Sequence, residues 1–239
     1  MVFVKYAPIA GAAVAAGALA WAVRGRSAAV FGPSVWRGPR DRRAIALTFD
    51  DGPSESTPEI LEILDRHKVP ATFFQCGMNV ERLPGVACSV AQAGHEIGNH
   101  TYSHPHAMQC TDDELAHDIV RCQRTLGHAP TLFRPPYGED ALRCARIAAA
   151  RMLPTTVLWS VDPSDWLERD PEAIAAAILD GLAPGAIVDL HDCWPRVTST
   201  VADRSPTLEA LALVLPELAA RGYRAVTVSE LMAAAKPPC

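Results

Sequence analysis

The sequence predicts an α/β fold built on a parallel sheet. Short strand-like apolar runs alternate with segments whose apolar residues recur at helical spacing, the pattern of repeated βα units. Helix-start signals stand between those runs, each a capping residue followed by Pro or by an acidic residue three positions on. Polar clusters follow the strand-like runs directly, at the place where α/β folds gather their chemistry. The alternation alone does not separate an open doubly wound sheet from a closed barrel.

The elements follow in order. Residues 6–23 are uncharged and rich in Ala and Gly, with Lys5 before them and Arg24 and Arg26 after. A stretch of that length suits a short membrane-spanning helix. It also suits the apolar part of a signal peptide, with Ala18-Leu19-Ala20 as a cleavage site. The arginines directly after it argue against cleavage, so an uncleaved hydrophobic anchor is expected within residues 1–26. Residues 27–43, with Gly, Pro and Arg, read as a linker, and 44–236 as one domain. Ala44-Ile45-Ala46-Leu47 is the first buried strand. A helix opens near Thr57-Pro58 and carries Ile60, Leu61, Ile63 and Leu64, with Thr57 as its cap. Ala71-Thr72-Phe73-Phe74 reads as the next strand, and Gly94 and Gly98 flank another short apolar stretch. Thr111-Asp112-Asp113-Glu114 is a capping box opening a helix with Leu115, Ile119 and Leu126 on one face, and Gly127 is placed to end it. Thr131-Leu132-Phe133, Thr156-Val157-Leu158-Trp159 and Ala186-Ile187-Val188 are further strands. Asp170-Pro171 and Ser205-Pro206 start two helices, and 224–228 reads as the last strand.

Two adjacent carboxylates, Asp50 and Asp51, end the first strand within Thr48-Phe49-Asp50-Asp51-Gly52-Pro53. Neighbouring residues of a strand point opposite ways, so the two carboxylates take different tasks. Some fifty residues on, His100 and His104 are spaced to share one side of a helical turn. Two His and one carboxylate suffice to bind a catalytic zinc while leaving a position open for water. The second carboxylate is then available as a base. Three more polar clusters follow strands: Arg134-Pro135-Pro136-Tyr137, Asp162-Pro163-Ser164-Asp165-Trp166 and Leu190-His191-Asp192. The pattern is that of a metal-dependent hydrolase.

These five clusters, in this order and spanning 44–228, resemble the polysaccharide deacetylases of the NodB-homology type, carbohydrate esterase family 4. The resemblance implies a distorted (β/α) barrel of about seven strands, here preceded by an N-terminal hydrophobic helix. It implies a divalent metal, zinc before cobalt, manganese or nickel, held by Asp51, His100 and His104. It casts Asp50 as general base, Arg134 as the residue orienting that base, and His191 as general acid tuned by Asp165. It also implies that the Tyr137 backbone N–H helps hold the oxyanion and that Trp166 walls the acyl pocket. The implied reaction is removal of N-acetyl groups from N-acetylglucosamine-containing glycans, peptidoglycan or chitooligosaccharide. A deformylase, another C–N amide hydrolase, or an inactive glycan-binding module are the alternatives.

One position departs from the family pattern. An apolar residue, often Leu, is usual two places before the last histidine, and here it is Asp189. Residues two apart on a strand share a face, so Asp189 is expected either to line the substrate pocket beside His191 or to turn away toward a basic partner. A nearby negative charge would also favour the charged form of His191.

The formal charge of −5 argues against nucleic acid as the partner. An acetylated glycan is expected instead, with a membrane contact through the N-terminal segment and a monomeric catalytic domain. The positive charge after residue 23 would leave the domain in the cytoplasm, whereas the family resemblance places it at the cell envelope. Seven cysteines at spacings unlike any CxxC zinc pattern leave the redox compartment open. Cys76, Cys88, Cys122 and Cys144 read as small core residues, and Cys193 as a bystander thiol. His67, His95, His106, His117 and His128 read as surface or capping residues, and Trp159 and Trp194 as core or rim packing.

Overall fold

A computed structural model describes residues 34–194 and 203–233. Strands β1 (Ser34–Val35), β2 (Ala44–Asp50), β3 (Thr72–Gln75), β4 (Glu96–Asn99), β5 (Leu132–Phe133), β6 (Thr155–Val157) and β7 (Ile187–His191) lie in the order β1-β6-β5-β4-β3-β2-β7. The last strand, β8 (Arg224–Val226), pairs with β2 off that path. Every named pairing is parallel. Beyond β6 the chain crosses to β7 through an isolated bridge, Val161 to Val188, with Asp189 N–H donating to Val161 O at 2.9 Å. This irregular seam makes the barrel a distorted one, as the motif resemblance implied.

The two-residue period of the strands sorts side chains into layers. On β2, Ile45, Leu47 and Phe49 face outward into the largest core. There they meet α1 (Thr57–His67) through Ile60 and Leu64, α6 (Pro171–Gly181) through Ile174 and Ile178, and α7 (Ser205–Ala220) through Leu211 and Val214. Each such fully buried side chain contributes about 1.5–3 kcal/mol relative to exposure. The alternate residues Ala44 and Ala46 face the barrel interior with Phe74, Leu132, Val157 and Ile187. That lower layer is sealed by Val228 and Leu231 of α8 (Val228–Met232). A third cluster packs α4 (Asp112–Leu126) and α5 (Ala141–Ala149) over Phe133. Above the apolar interior the same inward positions become polar: Thr48 and Asp50 on β2, Asp189 and His191 on β7.

Several expectations needed correction. Part of segment 27–43 is structural: Ser34–Val35 pair with β6, and Gly38 N–H donates to Gly185 O at 2.7 Å. Thr57 does not cap α1; it is the first helical residue, after Ser56, and its hydroxyl is committed elsewhere. The final strand stops at Val226, because the Thr227 side chain accepts from Glu230 N–H and starts α8. Helices α2 (Gly77–Arg82) and α3 (Pro84–Gln92), together with α5, were not anticipated. The capping box at Thr111 opens α4 and the left-handed Gly127 ends it, as expected. Cys76, Cys122 and Cys144 are buried, but Cys88 on α3 is exposed. The apolar stretch 6–23 lies outside the described residues. Among the described residues no helix is long and apolar enough to cross a membrane.

Candidate active site

One cavity of about 250 Å³ opens at the C-terminal ends of the strands. Its walls include Asp50, Asp51, His100, His104, Asp189 and His191. Asp50 and His191 are direct register partners across β2 and β7, and Thr48 and Asp189 are partners one inward rung below. The sheet itself therefore sets the separation of these groups.

Asp51, His100 and His104 converge. Asp51 Oδ1 lies 3.4 Å from His100 Nε2 and 3.1 Å from His104 Nε2. His100 Nδ1 lies 2.8 Å from Arg134 O. A carbonyl only accepts, so Nδ1 donates to it, and Nε2 is the nitrogen that faces Asp51. Asp51 Oδ1 is itself buried without a hydrogen-bond donor. Burial works to raise the Asp51 carboxyl, but His104 and His100 outweigh it and hold the group below the usual carboxylate range. A buried carboxylate converging with two imidazole nitrogens is a cradle for a divalent cation, and these three residues fit one.

The histidines do not share a helical turn. Residues 100–106 form an irregular loop in which Thr101 and His104 have positive φ, 67° and 52°. Side-chain acceptors hold that loop. Asn99 Oδ1 accepts from Thr101 N–H at 2.8 Å, and Asp118 Oδ2 accepts from Tyr102 N–H at 2.8 Å and Ser103 N–H at 3.0 Å. The spacing of four thus serves a loop, a geometry the helical rule does not encode.

Arg134 is fully buried, with its guanidinium 4.2 Å from the centre of the Phe74 ring. It does not grip Asp50 with two prongs, as a paired guanidinium–carboxylate fork would. A single nitrogen, Nη1, shares its two hydrogens among Asp50 Oδ1 at 2.7 Å, Asp189 Oδ1 at 2.8 Å and Thr48 Oγ1 at 2.8 Å. Asp50 and Asp189 thus compete for the same guanidinium nitrogen. Asp189 thus lines the cavity, the first of the two expectations, and does not turn away; its basic partner, Arg134, meets it there. Burial and the charge of Asp50 push its carboxyl well up, against the pull of Arg134.

His191 Nδ1 lies 2.8 Å from Asp165 Oδ1, and the His191 N–H donates to Asp165 Oδ2 at 3.1 Å. Burial works to lower the imidazole, but Asp165 and then Asp189 and Asp51 overcome it and raise it to about 10. Two residues that the sequence did not single out support Asp165. Arg204 Nη2 donates to Asp165 Oδ2 at 2.6 Å, and Thr207 Oγ1 donates to it at 2.8 Å. Both sit at the start of α7, some forty residues away, where no local spacing marks them. Asp192 is a third. Thr57 Oγ1 donates to its Oδ2 at 2.6 Å, and Ser54 Oγ donates to its backbone carbonyl. Asp192 thereby ties the loop after Asp51 to β7. Burial raises its carboxyl to about 7.

At the mouth, Tyr137 has φ 58° and its ring is half-exposed. It stands edge-on to His104 at 4.5 Å and stacks flat on His106 at 4.0 Å. His106, read from the sequence as a surface residue, thus buttresses the rim. Trp159, Trp166 and Trp194 all line the cavity, whereas His67, His95, His117, His128 and Cys193 do not.

The chain is similar to known proteins over most of its length. The polysaccharide deacetylase family model matches residues 37–155. The chain is 42% identical over 207 residues to a peptidoglycan-N-acetylglucosamine deacetylase of Bacillus cereus, covering 83% of this chain and 92% of that protein. It is 36% identical over 194 residues to a chitooligosaccharide deacetylase of a Bradyrhizobium species, covering 76% and 87% of the two. Among solved structures, the Bc1960 peptidoglycan N-acetylglucosamine deacetylase superposes with a TM-score of 0.78 at 35% identity, covering 87% of this chain and 96% of that one. A family 4 pseudoenzyme from Bacillus anthracis superposes with a TM-score of 0.75 at 30% identity, covering 84% and 69%.

Proposed function

Because the chain belongs to the polysaccharide deacetylase family, we propose that it hydrolyses N-acetyl groups from N-acetylglucosamine units of a glycan, with peptidoglycan as the first substrate and chitooligosaccharide as the second. The observation that carries the reading is the joint placement of a carboxylate–imidazole triad, a free carboxylate and a charged imidazole around one cavity. Since the fold also hosts a pseudoenzyme, the argument for activity rests on these groups rather than on the fold.

Asp51, His100 and His104 would hold a divalent ion, with zinc proposed, and such an ion would supply Lewis acidity there. Asp50 accepts the proton of the attacking water. Arg134 aims the Asp50 carboxylate through the 2.7 Å hydrogen bond. The Tyr137 backbone N–H is proposed to face the developing oxyanion, where one such donor is worth about 3–4 kcal/mol. The amine is a poor leaving group until protonated, and His191, charged at neutral pH, donates that proton. Asp165, with Arg204 and Thr207 behind it, keeps His191 charged and oriented.

The test is acetate release from chitooligosaccharides and peptidoglycan by metal-loaded protein, with chelated protein and Asp50→Asn as controls. Release that needs both the metal and Asp50 supports the reading. No release from any acetylated glycan by metal-loaded protein would favour an inactive glycan-binding module. Action at the cell envelope, with 6–23 as anchor, is proposed on the substrates of the relatives.

A further inference from the structure

We propose that Asp189 makes the buried end of the cavity selective for 2-hydroxyacyl amides, so that N-glycolyl amino sugars are better substrates than their N-acetyl counterparts. The inference rests on the amidohydrolase reading above and concerns which acyl group that site takes.

The geometry fixes which part of the substrate meets Asp189. An amide carries its acyl carbon on one side and its amine, here bearing the sugar, on the other. The amine must lie near His191, the proton donor on the outer rung of the β2–β7 ladder. Sugar rings need the open mouth, where the half-exposed Tyr137 and Trp166 stand. The acyl tail then points inward, past Asp50, toward the next rung. That rung is Thr48 and Asp189, bridged by Arg134 Nη1. Below it the interior is filled by Ala46, Phe74 and Ile187, so the tail ends at the carboxyl of Asp189.

A methyl group placed there leaves a buried polar group without a ligand partner. A hydroxyl on the same carbon both donates and accepts. It can therefore pair with the carboxyl of Asp189 in either protonation state. Arg134 engages Oδ1 of that carboxyl at 2.8 Å, and a carboxyl has a second oxygen to offer. Burial and Asp50 drive Asp189 toward its protonated form, in which it donates. The reaction is an ordinary hydrolysis. The oxygen of water bonds to the carbonyl carbon, Asp50 takes the water proton, the C–N bond breaks, and His191 protonates the departing nitrogen. The products are glycolate and the free amine.

The experiment compares chitooligosaccharides that differ only in carrying N-acetyl or N-glycolyl groups. Acetate and glycolate release by the zinc-loaded full chain are measured as kcat/KM for the wild type, Asp189→Leu and Asp189→Asn. The expected wild-type preference for glycolyl is about tenfold, the worth of one added hydrogen bond. Asp189→Leu should shift the glycolyl-to-acetyl ratio toward acetyl by at least about tenfold. Asp189→Asn, which keeps a donor and an acceptor, should retain the glycolyl preference. The ratio is independent of how much protein folds, so a general loss of activity does not mimic the effect. Acetate release with the same ratio in wild type and Asp189→Leu would overturn the proposal while leaving the deacetylase reading intact. Release of neither acid by any of the proteins would overturn the hydrolase reading and this inference with it.

Discussion

Replacing Asp165 with Asn should convert a uniformly active acid into one that fails as pH rises. In the folded protein His191 is raised to about 10 from an ordinary 6.5, although burial works to lower it, and Asp165 is the largest of the opposing influences. Asn preserves shape but carries no charge, so His191 should fall back toward its ordinary 6.5. At pH 8 the protonated fraction then falls from about 99% to about 3%, roughly a 30-fold loss of competent acid. At pH 6 the same change costs less than about twofold. The assay is the pH–rate profile of acetate release for the two proteins between pH 5 and 10. A cation in the triad lowers both values, so the separation between the two alkaline limbs is the quantity to read. Arg204 is also deprived of its buried partner, which should destabilise the fold by about 3–5 kcal/mol; thermal unfolding checks that the variant is folded at the assay temperature. Parallel profiles with one uniform drop would show that Asp165 only positions His191, and the argument for a charge-held acid would fail.

Asp50→Asn should bind metal normally yet lose turnover by about 10²–10⁴-fold, the range for a lost general base; metal content and acetate release measured on one preparation separate the two properties. His104→Ala should lose both, because it removes one of only three protein ligands. His191 also links stability to pH. Its folded pKa is raised, so its contribution is complete below about pH 6.5 and disappears as pH climbs toward 10. The stability difference between wild type and His191→Gln in chemical denaturation should accordingly shrink over that window, and a constant difference would refute the linkage. Gly52→Ala should destabilise by about 1–3 kcal/mol, since a Cβ at that position would overlap the Asp192 carboxylate; an unchanged melting temperature would show that the loop yields freely.

The sequence made legible those features that local chemistry marks. The inward and outward layers of β2 follow from its two-residue period, and the capping box opening α4 is written in four adjacent residues. The residues proposed as triad, base and acid were visible because each lies in a recognisable cluster that follows a strand. What stayed hidden depends on distant partners. Arg204 and Thr207 reach Asp165 only because the start of α7 is folded against the loop that carries it. The loop of His100 and His104 takes positive φ values that only its Asn99 and Asp118 contacts explain. Asp189 was visible as an oddity, but its sharing of one Arg134 nitrogen with Asp50 and Thr48 needed the register of two strands. Helices α2 and α3 are short, and α3 has a weak apolar face, so periodicity gave them little signal.

The most direct measurement is anomalous scattering at the zinc edge from crystals of the full chain grown with zinc. A single peak within about 2.0–2.3 Å of an Asp51 oxygen, His100 Nε2 and His104 Nε2 is the expected result. A peak placed on other residues, or no peak at the triad in zinc-replete crystals, would contradict the account.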